Sequence, residues 1–194
     1  MTFRFQYLFA LLTALLSSGG IVFAQKAKAV FVCKDKGTSY SNQWTLVADV
    51  KSLKLKPQSG SMKLPKKYHV FVVATAHLNT RLTELRMKGG TIELPLPDTS
   101  VSFGFNCETF KVENSGTMSP ALNAKYPQIV SLKGFSLKNK NNTIRYDYNG
   151  IAQNISIIWN GINYLYVPYK SNNKTYYLLY NKMDDNNSKQ LKNY

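Results

Sequence analysis

Thr143-Ile144-Arg145-Tyr146-Asp147-Tyr148-Asn149-Gly150-Ile151-Ala152-Gln153-Asn154-Ile155-Ser156-Ile157-Ile158-Trp159-Asn160-Gly161-Ile162-Asn163-Tyr164-Leu165-Tyr166 decides the fold. Three runs rich in β-branched and aromatic residues are separated by Asn149-Gly150 and Asn160-Gly161. These dipeptides accept the positive φ angles of a two-residue type I′ turn. Reading both turns in this way fixes a register. Tyr148 opposes Ile151 and Ile144 opposes Ile155. In the next hairpin Trp159 opposes Ile162, Ile157 opposes Tyr164, and Ile155 opposes Tyr166. Because successive side chains alternate across a strand, all of these share one face with Tyr146. Arg145, Asp147, Asn154, Ser156 and Asn163 take the other face, with Ile158 and Leu165 as exceptions. Two turn signals that agree on one apolar face predict an antiparallel meander packed on a core.

Outward from the meander, Thr175 to Asn181 reads as a further strand after a Pro168–Lys174 loop, and residues 183–194 as a polar, frayed tail. Upstream, Ala29–Val32 and Trp44–Val50 read as a leading strand pair. The Lys/Pro/Ser/Gly stretch from Lys51 to Lys67 reads as mobile. Val70–Ala74 is apolar enough for a buried strand. Leu78, Leu82 and Leu85 then fall at helical spacing before Gly89-Gly90, which predicts a helix over Ala76–Lys88. Thr91–Leu96 reads as an edge strand, since Pro95 and Pro97 donate no ladder hydrogen bond. Val101–Val112 is β-like, with Phe103, Phe105, Cys107 and Thr109 on one face. Ser119-Pro120 opens a short helix, serine as N-cap and proline at the first helical position, that ends before Pro127. The class expected is α+β: mostly antiparallel sheet, with a C-terminal meander of two Asn-Gly hairpins and one or two short helices.

Residues 1–24 read as a secretory signal: Arg4 in the n-region, an apolar run from Tyr7 to Leu16, and Val22-Phe23-Ala24 before the cleavage point. Ser17-Ser18-Gly19-Gly20 interrupts the apolar run short of the roughly 20 residues a span needs. Residues 25–182 then form a single globular domain, expected to be monomeric, exported to the periplasm or the medium, with no transmembrane anchor after cleavage. Removal of the leader takes away one basic residue, leaving 24 Lys/Arg against 10 Asp/Glu. Residues 25–70 hold ten of these cations against Asp35 and Asp49. Such a field either forms a solvated lysine surface or attracts anionic partners: a membrane, nucleic acid, a glycan or an acidic protein face.

Cys33 and Cys107 are the two cysteines of the chain. In an exported protein an intramolecular disulfide is the natural inference, with free thiols and zinc capping as alternatives. Motifs of catalysis are absent from the sequence: no HExxH, nucleophile elbow, P-loop or dinucleotide fingerprint. His69 and His77 lack a neighbouring ligand cluster, and Glu84, Glu93, Asp98, Glu108 and Glu113 are scattered over different elements. No enzyme activity, metal or cofactor is expected. Aromatic residues interleaved with lysines suit nucleic acid, but most of these rings fall on the core face, and no nucleic-acid partner is expected.

One set of short motifs occurs in a recognisable order: Ile92-Glu93-Leu94-Pro95-Leu96-Pro97-Asp98, Phe110-Lys111-Val112-Glu113, Met118-Ser119-Pro120-Ala121-Leu122, and Ala124-Lys125-Tyr126-Pro127-Gln128-Ile129. Thr143 to Tyr148, Tyr166-Val167-Pro168-Tyr169 and Tyr176-Tyr177-Leu178-Leu179-Tyr180 follow. Over residues 91–182 the chain resembles the N-terminal prodomain of secreted bacterial reprolysin-like metzincin zinc metallopeptidases, with no catalytic domain after it. The resemblance implies a non-catalytic module that binds such a catalytic domain in trans, keeping it latent or assisting its folding. The alternative is a stand-alone basic protein that recognises an anionic surface, glycan or acidic protein. The candidate interface is Met118, Pro120, Lys125, Tyr126, Pro127 and Arg145, with Tyr169 and Tyr177 as tyrosines on the exposed side. In other metzincins a prodomain cysteine caps the catalytic zinc, but Phe105-Asn106-Cys107-Glu108 lacks the arginine and glycine surroundings of the matrixin version.

Overall fold

The computed structural model describes residues 31–34, 43–58, 63–74, 78–98 and 104–185. Residues 1–24, read from the sequence as a secretory signal, lie outside them, as do His77, Phe103 and the residues beyond 185. In chain order the elements are β1 (Val32–Lys34), β2 (Gln43–Leu46), β3 (Lys56–Pro57), β4 (His69–Ala74), α1 (Leu78–Lys88), β5 (Gly90–Asp98) and β6 (Gly104–Asn114). There follow α2 (Pro120–Lys125), β7 (Val130–Ser136), β8 (Thr143–Tyr148), β9 (Gln153–Trp159), β10 (Ile162–Ser171) and β11 (Lys174–Asn181), then a 3-10 turn over Lys182–Asp184. The strands form one antiparallel sheet in the order β1-β2-β4-β11-β10-β9-β8-β7-β6-β5, with β3 added beside β10. Sheet-dominated α+β architecture with two short helices is what the alternating pattern predicted.

The sheet curls until its ends meet, a nearly closed barrel in which β1 touches β5 and β6 without pairing with either. Pro95 and Pro97 explain why the seam stays open: on terminal strand β5 they have no N–H to offer a further strand. The Cys33–Cys107 disulfide closes the seam instead, tying β1 to β6 with Cα atoms 5.6 Å apart. Its sequence separation of 74 residues restricts the unfolded chain by about 4 kcal/mol in the chain-entropy model. Both cysteines are thereby engaged, which excludes free thiols and zinc capping in this state.

The barrel interior is filled by Trp44, Phe71, Leu82, Leu85, Leu94, Leu96, Phe110, Leu132, Tyr146, Ile157 and Tyr166, each essentially inaccessible. Helix α1 sends Leu78, Leu82 and Leu85 into this core and packs on β6 and β7. The Tyr166 hydroxyl donates to the Pro95 carbonyl, so β10 is bonded through the interior to the seam strand. Glu108, fully buried on β6, accepts from Ser136 Oγ and from Lys138 Nζ at 2.8 Å.

A second apolar cluster lies on the other side of β10 and β11. There Val70, Tyr169, Leu178 and Tyr180 are covered by Val47, Val50, Leu53, Leu55 and Tyr68. The described parts of the Lys51–Lys67 stretch are therefore packed rather than mobile: Leu53 and Leu55 face the sheet, and β3 pairs with Tyr169 and Lys170. This explains the exception Leu165, which sits beneath the same cover. It also corrects the Pro168–Lys174 loop. Strand β10 runs unbroken to Ser171 and turns at Asn172-Asn173, both with positive φ, into β11. Pro168 falls between the end of β9 pairing at Tyr166 and the start of β3 pairing at Tyr169, where that edge has no strand partner.

The second Asn-Gly hairpin has the predicted register: Trp159 faces Ile162, Ile157 faces Tyr164 and Ile155 faces Tyr166. The first does not. Ile144 faces Ile157, Tyr146 faces Ile155 and Tyr148 faces Gln153, a shift of two residues around a four-residue loop, 149–152. Asn149 is the cause: its Oδ1 accepts from the N–H groups of Ile151 and Ala152, at 3.0 and 2.9 Å, and wraps a wider turn. A shift of two preserves parity, so Ile144, Tyr146, Tyr148 and Ile155 still face the core. The expected tail is corrected at its start, since Asn181 caps the 3-10 turn and Lys66 N–H donates to Asp184.

Candidate functional site

Helix α1 ends at Gly89, whose φ of 67° lets the chain reverse into β5 and leaves Arg86 and Lys88 in its last turn. Cations there complement the carbonyl end of the helix dipole. They also form one wall of an open groove of about 940 Å³. Lys111 and Glu113 come from β6, Lys133 and Phe135 from β7, Lys140 from the β7–β8 turn, and Ile144 and Val112 lie in the groove's apolar part. Five cations thus face one carboxylate. Lys133 contacts Glu113 at 3.7 Å, an exposed pair worth about 0–1 kcal/mol. Lys140 holds its ammonium 5.8 Å from the Phe135 ring centre, a cation–π contact that keeps the charge over the groove. Clustered like charge on a concave surface raises the local potential above that of scattered lysines.

The Met118–Pro127 excursion lies in the connection between β6 and β7, two strands that line this groove. Helix α2 follows the predicted start: Ser119 Oγ accepts from Leu122 N–H at 3.3 Å, and Pro120 stands at its first turn. It buries no residue. Leu122 is 48 % exposed and Tyr126 37 % exposed, while Pro120, Lys125 and Pro127 are exposed and Met118 is half-buried. A six-residue helix has little stability of its own. Its anchorage is Arg86, which donates to the carbonyls of Pro127 at 3.2 Å and Ile129 at 3.4 Å. Arg86 therefore belongs to both the groove and the excursion.

Arg145 on β8 lies directly across from Lys133 on β7, and its guanidinium meets Asp147 at 3.0 Å. Of the eight sequence-predicted interface residues, none lines the groove itself: Pro127 is tied to it through Arg86, Arg145 lies across the ladder from the groove residue Lys133, and Met118, Pro120, Lys125 and Tyr126 belong to the same excursion as Pro127. Tyr169 and Tyr177 lie elsewhere. Tyr169 is buried in the outer cluster under β3, and Tyr177 in the barrel interior against Trp44 at 5.4 Å between ring centres. Tyr169 on β10 and Tyr177 on β11 point to opposite sides of the sheet, and both sides are covered there, so neither lies at the surface.

His69 packs its ring edge-on against Phe105 at 4.8 Å, and partial desolvation lowers its pKa. Sequence reasoning missed Arg86, Lys88, Lys111, Lys133 and Lys140 as a group. Their positions are far apart in the chain, and no local motif marks them. No family model, curated protein or solved structure matches this chain.

Proposed function

We propose that this chain is an exported, non-catalytic binding module that docks an acidic protein surface in the groove between the end of α1 and β6–β8, with the Met118–Pro127 excursion as its apolar rim. The observation that carries the reading is the continuity of the two parts through Arg86. Charge attracts and orients the partner; Leu122 and Tyr126 supply apolar area that charge alone lacks. The prodomain resemblance of residues 91–182 names the partner: the catalytic domain of a metzincin zinc metallopeptidase, bound in trans. The signal-like leader and the disulfide support export.

The test is association of the purified protein with several metzincin catalytic domains, read both by biolayer interferometry and by inhibition of peptide cleavage. Lys111→Glu with Lys133→Glu weakens binding at least about tenfold, or roughly 1.4 kcal/mol. Leu122→Asp weakens it with little change in salt dependence. Absence of both association and inhibition at micromolar excess rejects the protease partner. Binding to anionic vesicles or sulfated glycans, abolished by moderate salt and indifferent to Leu122→Asp, rejects the protein-docking reading in favour of a charge-only surface.

A further inference from the structure

Sγ of Cys33, Sγ of Cys107 and a carboxylate oxygen of Glu93 lie within 4.8 Å of one another at the barrel seam. They come from three strands, β1, β6 and β5, that the open seam brings together. Thr109 Oγ1 donates to Glu93 Oε1 at 3.1 Å, which orients the carboxylate. Its other oxygen, Oε2, is buried without a hydrogen-bond partner among the described residues. A carboxylate oxygen withdrawn from water and left without a donor is costly unless something else satisfies it.

We propose that reduction of the Cys33–Cys107 disulfide converts the seam into a site for a thiophilic divalent cation, Zn²⁺ in the first place, bound by the two thiolates and Glu93 Oε2. An external dithiol supplies the two electrons and is itself oxidised to a disulfide. The S–S bond breaks, and each cysteine sulfur leaves as a thiol that loses its proton on metal binding. Two sulfurs and one carboxylate oxygen suit zinc by ligand type, and water completes four-coordination. Geometry agrees. With Zn–S bonds of about 2.3 Å, tetrahedral sulfurs stand roughly 3.8 Å apart, a span inside the 4.8 Å within which the three ligand atoms lie. The carboxylate is already within reach.

Cys33 is fully buried, whereas Cys107 and Glu93 are half-buried, leaving an approach for the ion from solvent. Thr109 acts as the outer partner that fixes which carboxylate oxygen is free, the usual arrangement around metal-bound carboxylates. Occupied, the site joins β1 to β6 as the disulfide does in the oxidised protein. One seam thus has two alternative staples, selected by redox conditions. This differs from capping another protein's zinc: all three protein ligands belong to this chain.

The experiment is titration of the full-length mature protein with Co²⁺ as a spectroscopic stand-in, then competition with Zn²⁺, before and after reduction by dithiothreitol and its removal under argon. The reduced protein takes up one equivalent with a thiolate-to-cobalt charge-transfer band; the oxidised protein takes up none. Cys107→Ser removes the band, and Glu93→Gln weakens binding at least tenfold while keeping the fold by circular dichroism. If the metal-free reduced protein unfolds, Zn²⁺ restores the native spectrum and raises Tm. Reduced protein that binds no cobalt, or binds it equally with Glu93→Gln, overturns the proposal, as does reduced unfolded protein that zinc fails to restore.

Discussion

Replacing Gly134 by alanine puts the most severe steric demand on this sheet. Gly134 sits on β7 between Val112 of β6 and Ile144 of β8, on the core-facing side. A Cβ built there lies 2.0 Å from the Lys111 carbonyl oxygen and 2.9 Å from both the Lys111 carbonyl carbon and Val112 Cγ1. Ordinary C···O contacts begin at about 3.3 Å, so β6 and β7 must separate by more than 1 Å locally. Neither strand yields easily. Phe110 and Val112 are buried on β6, Leu132 is buried on β7, and the disulfide fixes β6 at Cys107. Overpacking of this kind costs about 1–3 kcal/mol, and a broken ladder bond adds about 1. Loss of unfolded-state entropy returns roughly 0.4–1 kcal/mol. Gly134→Ala is therefore expected to destabilise by roughly 1–3.6 kcal/mol, centred on about 2.3, lowering Tm by about 5–9 °C at that centre in a chain of this size. Urea unfolding measures it, with Gly116→Ala as the control. Gly116 has a φ of 72° but no atom near its Cβ position, so alanine there meets only backbone strain of about 1–2 kcal/mol. A Gly134→Ala protein no less stable than the control would refute the close approach of β6 and β7.

Asn149→Ala removes the acceptor for both Ile151 and Ala152 N–H groups and should cost about 1–2 kcal/mol in chemical denaturation; a cost below about 0.5 refutes its role in widening the loop. At the alkaline end, burial raises the pKa of Tyr146 and Tyr166 well above the ordinary tyrosine value. Unfolded tyrosine ionises near pH 10. A raised folded pKa means the stabilisation is complete below that pH and is lost as the pH climbs above it. Phenolate absorbance of the buried pair should thus appear only together with loss of the circular dichroism signal. Full ionisation of every tyrosine with the fold intact would contradict the packing described.

What the sequence shows and hides follows from the range of each signal. At Asn160-Gly161 both residues take positive φ, 50° and 78°, so the local dipeptide determines the register. At Asn149-Gly150 only the glycine does, because the asparagine side chain competes for backbone donors, and dipeptide identity alone does not reveal that choice. Strand β7 escapes notice because Gly134 interrupts an otherwise regular alternation of Val130 and Leu132. The face of β6 that looked apolar, Phe105 and Cys107, is only half-buried at the seam, while Glu108, Phe110 and Val112 turn fully inward. Alternation reports one covered face, and it misleads wherever a second layer covers the other. That is the situation of Tyr169 beneath β3, and no pattern within 160–180 announces a cover supplied by Val47, Val50, Leu53, Leu55 and Tyr68.

The seam and the groove are connected through β6. That strand carries Cys107 near one end and Lys111 and Glu113 toward the other, and between them Phe110 anchors it in the core. Pro95 and Pro97 deny the seam a hydrogen-bonded closure, so the position of β6 relative to β1 depends on the link at Cys107. On its other edge β6 pairs with β7 from Phe110 to Asn114, and β7 brings Lys133 to the same groove. The spacing of Lys111 and Lys133 is thus set by a ladder whose far strand is held by the staple. Gly134 is where that ladder is tightest, since the Lys111 carbonyl occupies the space a side chain would need. A basic surface assembled from flexible lysines alone would carry charge without shape. Here the close contact of β6 with β7, together with the Arg86 bonds to Pro127 and Ile129, gives the charges fixed backbone positions against which an acidic partner can be complementary.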